Sequence, residues 1–137
     1  MTGKIFIDTS GFFAVLAKRD NMHSKAADVF KKAREQNAKF ITTDYVLDET
    51  ATLLRARGLG DLAPRFFEIV MAASICRIEW MDQELFSSAV AFFNKHDDQD
   101  WSFTDCFSFI IMKQLRLSEA LTKDGHFTAA GFVPLLV

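Results

Sequence analysis

The sequence has few cysteines, and they are not placed in pairs. Cys76 and Cys106 are the only two in 137 residues. Neither has the close spacing or the neighbouring histidine that a zinc site or a disulfide framework requires. The first residues also lack the charged and apolar segments of a signal peptide. We therefore expect two reduced core thiols in a cytoplasmic protein.

Long apolar runs and an excess of positive charge are lacking too. No run reaches the length of a membrane span, so no membrane association is expected. The formal net charge of −2 excludes a protein that coats nucleic acid by general attraction. A phosphate-bearing substrate would need bound cations or a local basic patch. Linkers, low-complexity segments and solenoid repeats are absent, which predicts a single domain over residues 1–137.

Apolar residues, by contrast, make up half of the sequence, and fifteen residues are phenylalanine. That proportion is enough to cover a sheet on both faces. A domain of this size cannot easily bury fifteen rings, so we expect some of them on the surface, facing a partner.

The apolar periodicity alternates between strand and helix along the chain. Predicted strands are Lys4 to Asp8, Lys39 to Thr42, Cys76 to Trp80, Glu119 to Thr122 and Val133 to Leu136. Predicted helices run to Leu16 with Ser10 as the cap, from Ser24 to Gln36, from Asp44 to Gly58, through Phe66 to Met71, through Leu85 to Phe93 with Asp82 as the cap, from Thr104 to Leu115 and over a turn at Gly125 to Ala130. This alternation favours a mostly parallel sheet between helical layers.

Four acidic residues stand where such a sheet binds ligands, beyond the carboxyl ends of its strands. Asp8 ends the first strand, Asp124 follows the fourth, and Asp105 lies in the first turn of a helix. Glu49 lies at the edge of the apolar face of its helix, whereas its neighbour Asp48 points outward. Glu49 is therefore the better candidate of the adjacent pair.

Each acid also has a purely structural interpretation. Asp8 could end a strand, Asp105 could stabilise a helix N-terminus, Asp124 could form a turn with Gly125, and Glu49 could be solvated. The joint pattern favours a metal site, because hydroxyls that could hold carboxylates or water recur beside the acids. These hydroxyls belong to Thr9, Ser10, Thr104, Ser108 and Thr122.

Four segments together resemble the successive motifs of the PIN-domain family of metal-dependent ribonucleases, and especially its VapC-like toxin branch. The segments are IFIDTSGFFAVL, TTDYVLDETATLLR, DWSFTDCFSFIIMKQL and ALTKDGHF. The resemblance implies a three-layer α/β/α fold, endoribonuclease activity, an RNA substrate and an antitoxin partner. It also implies that Asp8, Glu49, Asp105 and Asp124 form the catalytic and metal-binding quartet, supported by Thr9 or Ser10 and by Thr104.

A carboxylate cage without histidine or cysteine suits Mg²⁺ or Mn²⁺, which prefer oxygen ligands and water. Such an ion lowers the pKa of an attacking water and neutralises charge on a phosphodiester. We assign Asp8, Asp105 and Asp124 to metal binding, and Glu49 to metal binding or to activation of the water. The number of ions stays open.

Two basic residues are candidate RNA contacts. Arg55 follows Glu49 on the same helix, and Lys123 adjoins Asp124. The paired helices that contain Leu53 and Phe67 are either plain core or, as the resemblance suggests, the walls of a groove for an apolar antitoxin segment.

Other functions are weighed against the nuclease. A PIN-like module that binds RNA or protein without cutting stays open, although the four acids argue against it. A phosphoaspartate enzyme would need a second acid at position 10, which is Ser10. An EF-hand fails because Phe103 and Phe109 occupy the glycine and glutamate positions of the loop. Histidines are expected at the surface or at caps, and homodimerisation stays open.

Overall fold

The computed structural model describes residues 3–137, which form five strands and a surrounding set of helices. The strands are β1 (Lys4–Ile7), β2 (Lys39–Thr43), β3 (Cys76–Glu79), β4 (Glu119–Leu121) and β5 (Val133–Pro134). The helices are α1 (Thr9–Leu16), α2 (His23–Glu35), α3 (Asp44–Ala56), α4 (Ala63–Met71), α5 (Gln83–Lys95), α6 (Phe103–Gln114) and α7 (His126–Ala129), with a 3₁₀ turn at Gly60–Leu62.

The strands form one sheet in the order β3-β2-β1-β4-β5, and every pair is parallel. In the central strand β1, the consecutive side chains of Ile5, Phe6 and Ile7 are all buried. Since consecutive side chains of a strand point to opposite faces, both faces of the sheet are covered. This confirms the predicted α/β/α sandwich with a parallel sheet.

The strand order creates a crevice between β1 and β4. After β1 the chain continues to β2, toward one edge of the sheet, and after β4 it continues to β5, toward the opposite edge. Ligands of open α/β sheets bind at such a switch point, beyond the carboxyl ends of the strands. Asp8 lies there, and its backbone N–H donates to the Leu121 carbonyl oxygen at 3.3 Å.

The prediction that Ser10 caps the first helix is wrong. α1 begins at Thr9, directly after Asp8, so Ser10 already lies inside the first turn. Its hydroxyl turns instead toward β4, where it contacts the Thr122 hydroxyl and accepts from the Lys123 backbone N–H. No loop separates β1 from α1, so the N-cap position falls on Asp8 and Ser10 lies two positions too late to cap.

Three other boundaries are close to the prediction. Asp82 caps α5, as predicted, by accepting from the Leu85 N–H at 2.7 Å. α6 begins one residue early, at Phe103, because Ser102 and Asp105 form a capping box. The last strand is shorter than predicted and ends at Pro134, although the Leu135 and Leu136 N–H groups still donate to the β4 segment.

Most of the aromatic content is in the core. Seven phenylalanine rings are fully buried, and three are substantially exposed, as the sequence predicts for part of the phenylalanines. The buried rings are Phe6, Phe12, Phe40, Phe66, Phe107, Phe109 and Phe127, and the exposed rings are Phe67, Phe86 and Phe93. Among residues 3–137, no helix combines the length and the apolar character that crossing a bilayer would need.

Gly11 allows α1 to lie directly against β4. A Cβ atom at this position would come within 2.0 Å of the Leu121 carbonyl oxygen and 3.1 Å of an Ile7 side-chain atom. The first of these neighbours is backbone and cannot move without disturbing the sheet. Only glycine is compatible with this contact.

We expect Gly11→Ala to destabilise the protein by about 3 kcal/mol or more, because the added methyl group overpacks a backbone contact at the centre of the sheet. Urea unfolding would measure the change. Gly60→Ala is the matched control, since a Cβ there meets nothing within 4 Å. Equal stability of the two variants would contradict the close packing of α1 on β4.

Candidate active site

The four predicted acids come from four parts of the fold and converge at the crevice between β1 and β4. Asp8, Glu49 and Asp124 line one cavity of about 230 Å³. Asp105, in the first turn of α6, lies close enough for its charge to act on both Asp8 and Asp124. Asp48, the alternative to Glu49, is exposed and lines a neighbouring cavity.

Asp8 is held by a chain of two hydroxyls, from Thr122 directly after β4 and from Ser10 of α1. The Thr122 hydroxyl donates to Asp8 Oδ2 at 3.2 Å and lies 3.0 Å from Ser10 Oγ. Since the single Thr122 proton goes to Asp8, Ser10 is the donor to Thr122. The Lys123 and Asp124 backbone N–H groups donate into the same chain. All the donors therefore point toward Asp8.

Glu49 is held by a second chain of hydroxyls, between α1 and α3. Thr9 Oγ1 donates to Glu49 Oε1 at 2.7 Å, and Thr50 Oγ1 contacts Thr9 Oγ1 at 3.1 Å. Thr9 and Thr50 are both buried. Glu49 Oε2 has no hydrogen-bond partner among residues 3–137, so that oxygen is available to a ligand.

Asp105 has two roles. Its Oδ2 accepts from the Ser102 backbone N–H at 3.1 Å, which completes the capping box of α6. The same oxygen lies 3.2 Å from Nδ1 of His126. The structural interpretation of Asp105 as a helix-terminal residue is thus correct, and it coexists with a place beside the other acids.

Asp124 also combines a turn with the site. Its Oδ1 accepts from the His126 backbone N–H at 2.8 Å and lies 3.4 Å from the His126 ring nitrogen Nδ1. Asp105, Asp124 and His126 each offer one ligand atom, and these atoms lie within 4.8 Å of one another. Oxygen and imidazole nitrogen at this separation form a donor set that a divalent cation accepts.

The two remaining predicted hydroxyls lie at the edge of the site. Thr104 lines the neighbouring cavity together with Tyr45, Asp48 and Glu49. Ser108 donates to the Thr104 carbonyl oxygen at 3.0 Å and so bonds within its own helix. These two residues support the start of α6, while Thr9, Ser10 and Thr122 hold the acids.

Burial and mutual repulsion shape the electrostatics. The pKa of Asp8 is raised from 3.8 to about 7, chiefly by burial and also by the nearby Asp105 and Glu49 carboxylates. The Thr9 backbone N–H and the Thr122 hydroxyl oppose that rise. Burial also raises the pKa of Asp105, and Asp124 adds to that effect. Positive charge brought into the cleft would relieve this cost.

Thiol chemistry does not fit this site. Cys106 adjoins Asp105 but is buried, and burial raises the pKa of its thiol to about 11. Cys76 is also buried, and its thiol has a pKa of about 12 for the same reason. Both thiols are protonated at neutral pH and unsuited to nucleophilic attack.

The cations of the cleft differ from the predicted pair. Lys123 lines the cavity, but its Nζ lies 3.1 and 3.0 Å from the two carboxylate oxygens of Asp20. Arg57 lines the same cavity, and its guanidinium lies over the Phe13 ring, 5.1 Å from the centroid. Arg55 is not brought to this cavity and lines a groove beside α4 instead.

Sequence reasoning missed Asp20, Arg57 and His126 as residues of the cleft. Helical periodicity could have found Arg57, since Leu53 and Arg57 follow Glu49 in steps of four and share its side of α3. No local pattern marks Asp20, whose partner Lys123 lies 103 positions later. His126 was predicted to be a surface or capping residue.

Comparison with known proteins gives the family of the chain. Residues 5–133 match the PIN domain family. The chain is 32% identical over 129 residues to a protein named 23S rRNA-specific endonuclease VapC20 from Mycobacterium tuberculosis, covering 94% of this chain and 95% of that protein. It is 27% identical over 124 residues to a protein named VapC ribonuclease from Archaeoglobus fulgidus, covering 89% and 78%.

A solved structure gives the same result for the fold. The crystal structure of Mycobacterium tuberculosis VapC20, described as a toxin that cleaves the sarcin–ricin loop, superposes with a TM-score of 0.83 at 30% identity. The superposition covers 97% of this chain and 98% of that structure. The match of sequence over nearly the whole length and the match of structure have one explanation: this chain belongs to the PIN domain family.

Proposed function

We propose that this protein is a metal-dependent endoribonuclease and the toxin of a toxin–antitoxin pair, acting in the cytoplasm. The observation that carries the proposal is the convergence of Asp8, Glu49, Asp105 and Asp124 at the switch point of the sheet. The names of its relatives support the same activity. Because the M. tuberculosis relative is described as a sarcin–ricin loop cleaving toxin, that ribosomal RNA loop is the first substrate to test.

The residues present fit a hard divalent cation, Mg²⁺ or Mn²⁺. The donors are carboxylate oxygens, and burial raises the pKa of two of these carboxyl groups, Asp8 and Asp105. Asp8, Asp105 and Asp124 would hold the cation, directly or through water. Once bound, it would neutralise charge on the phosphodiester and favour ionisation of an attacking water.

The chain's own groups supply the remaining steps. Glu49 would hold the cation as well, or orient the water and take its proton through Oε2, while Thr9 keeps Oε1 in place. Thr122 and Ser10 orient Asp8 through their hydroxyls. Lys123 and Asp20 brace the outer wall of the cleft as an ion pair.

A groove between α3 and α4 is the proposed antitoxin site. Leu54, Phe66 and Val70 are buried in the core, but Phe67 and Met71 of the same helix pair are exposed. The groove has a volume of about 570 Å³ and is lined mainly by small and apolar side chains. An apolar helical segment of an antitoxin would fit such a groove.

Cleavage of RNA should require both a divalent cation and Asp8. We expect purified protein to cut ribosomal RNA into discrete fragments with Mg²⁺ or Mn²⁺ and not with EDTA. Asp8→Asn should lower the rate by at least about a hundredfold, because it removes one carboxylate without changing size. Gel analysis of cleaved RNA and of a sarcin–ricin loop hairpin would measure this.

A matched pair of variants on α3 sharpens this test. Glu49→Gln should abolish cleavage, whereas Asp48→Asn should leave it nearly unchanged, since Asp48 is exposed and outside the hydroxyl chains. Absence of cleavage under every condition, together with no stabilisation by metal, would favour a PIN-like module that binds without cutting.

The stability of the metal-free protein should depend on the pH through Asp8. Between pH 3.8 and about 7 the folded state keeps a proton on Asp8 that the unfolded chain has released. The folded state therefore binds more protons, and its stability falls as the pH rises through this window. We expect Asp8 to contribute a loss of about 2–4 kcal/mol.

Thermal or urea unfolding of wild type and Asp8→Asn in EDTA would measure this contribution. Other titrating groups act on both proteins, so the difference between the two curves isolates Asp8. The variant should gain on the wild type as the pH rises from about 4 to 8. Parallel curves would contradict the cost assigned to the buried carboxylate. Adding Mg²⁺ or Mn²⁺ at pH 8 should stabilise the wild type and not the variant.

A further inference from the structure

We propose that Arg57, held against the ring of Phe13, is the residue that binds an RNA backbone phosphate in the acidic cleft. The inference rests on the proposed nuclease function and names a substrate-positioning residue for that site. It replaces Arg55 as the arginine that meets the substrate. Three observations carry it: the position of Arg57 at the C-terminal end of α3, its support by an aromatic ring, and the balance of charge in the cleft.

The first observation is the position of Arg57. Glu49, Leu53 and Arg57 follow one another in steps of four residues, and all three line the same cavity as Asp8. Arg55 is six residues after Glu49, which turns it to another face of the helix. It lines the groove between α3 and α4. Arg55 and Arg57 are only two positions apart, but Arg55 lines the groove and Arg57 lines the acidic cavity.

The second observation is the contact with Phe13. The Arg57 guanidinium carbon lies 5.1 Å from the centroid of the Phe13 ring, within the range of a cation–π interaction. Phe13 is itself buried, at 6% exposure, and sits one helical turn after Thr9 on α1. The ring is thus a fixed support. Stacking restrains the guanidinium while leaving its N–H groups free to donate.

The third observation is the charge balance. The residues lining the cavity include two cations, Arg57 and Lys123, and four acids, among them Asp20. Lys123 already contacts both carboxylate oxygens of Asp20. Within residues 3–137, Arg57 is the cation of this cavity that has no carboxylate partner.

Because no carboxylate among residues 3–137 occupies its N–H groups, the Arg57 guanidinium is available to an anionic ligand even though the cavity as a whole is acidic. Its planar fork can donate two parallel N–H bonds to a phosphate, which an ammonium cannot do. Phosphate contacts of this kind position a nucleic acid without reading its sequence. The phosphodiester backbone of the RNA is therefore the ligand class, and Arg57 would set the register of the strand over the acids.

The proposal is tested by measuring how tightly RNA binds to variants that cannot cleave it. All variants carry Asp8→Asn, and the probe is a fluorescein-labelled oligouridylate in EDTA, followed by fluorescence anisotropy over a range of salt concentrations. Arg57→Ala should weaken binding about three- to tenfold and reduce the slope of log K against log salt by about 0.7. Arg57→Lys should keep the slope and lose part of the affinity, because the charge stays and the fork is lost.

Two controls remove the same charge elsewhere. They are Arg55→Ala and Lys31→Ala. Arg55 lies on α3 outside the cleft, and Lys31 lies on the exposed side of α2. Each should change affinity by less than twofold. Equal losses for Arg55→Ala and Arg57→Ala would overturn the proposal, as would an unchanged salt slope for Arg57→Ala.

The support by Phe13 is tested with Phe13→Leu. This variant should weaken binding when Arg57 is present and have no further effect on Arg57→Ala. Additive losses would contradict the stacking argument. If Phe13→Leu does not fold, as judged by thermal unfolding, the comparison of Arg57→Lys with Arg57→Ala still decides.

Kinetics separate this proposal from the nuclease function. With Asp8 intact and Mn²⁺ present, Arg57→Ala should raise the KM for RNA more than it lowers kcat. A protein that never cuts RNA would refute the nuclease and leave the binding result for Arg57 intact. A protein that cuts RNA with an unchanged KM in Arg57→Ala would refute only the role of Arg57.

Discussion

Burial of the Asp8 carboxylate against two other carboxylates is the interaction on which the cleft depends. A charge taken out of water at the carboxyl end of β1 is costly, and the nearby Asp105 and Glu49 increase that cost. The Thr122 hydroxyl and the Thr9 backbone N–H recover part of it. The net result is a pKa of about 7 for Asp8. Near neutral pH the side chain therefore loses its proton easily, and a cation can then bind to the carboxylate.

The need to hold this carboxylate explains the three residues that follow it. Thr9 donates to Glu49 and so connects α1 to α3. Ser10 connects α1 to the end of β4 through Thr122, and Gly11 lets the helix approach the Leu121 carbonyl oxygen closely enough for that connection. A strand that passes into a helix without a loop brings three successive residues against three different neighbours. The packing of the site therefore requires the three residues Thr9, Ser10 and Gly11 after the first strand.

The parts of this arrangement that follow from local chemistry were predictable from the sequence. Buried parallel strands read as short apolar runs, and acids at their ends meet at one edge of the sheet, which is why Asp8 and Asp124 could be identified. Ser10 was assigned to a cap because capping preference is local, whereas its real partner Thr122 lies 112 positions away. The ion pair of Asp20 with Lys123 depends in the same way on a long-range contact that composition and spacing do not encode.

The charge of the cleft also explains how an acidic protein could take RNA as a substrate. With Lys123 neutralised by Asp20, the acids of the cleft outnumber its free cations, and repulsion would weaken the binding of a polyanion to the metal-free site. A divalent cation would reverse this balance, so metal and RNA would each increase the affinity of the cleft for the other. Loss of a proton from Asp8 would favour the cation in turn. The same repulsion that makes the metal-free cleft costly would thus make RNA binding stronger in the presence of the metal that the chemistry needs.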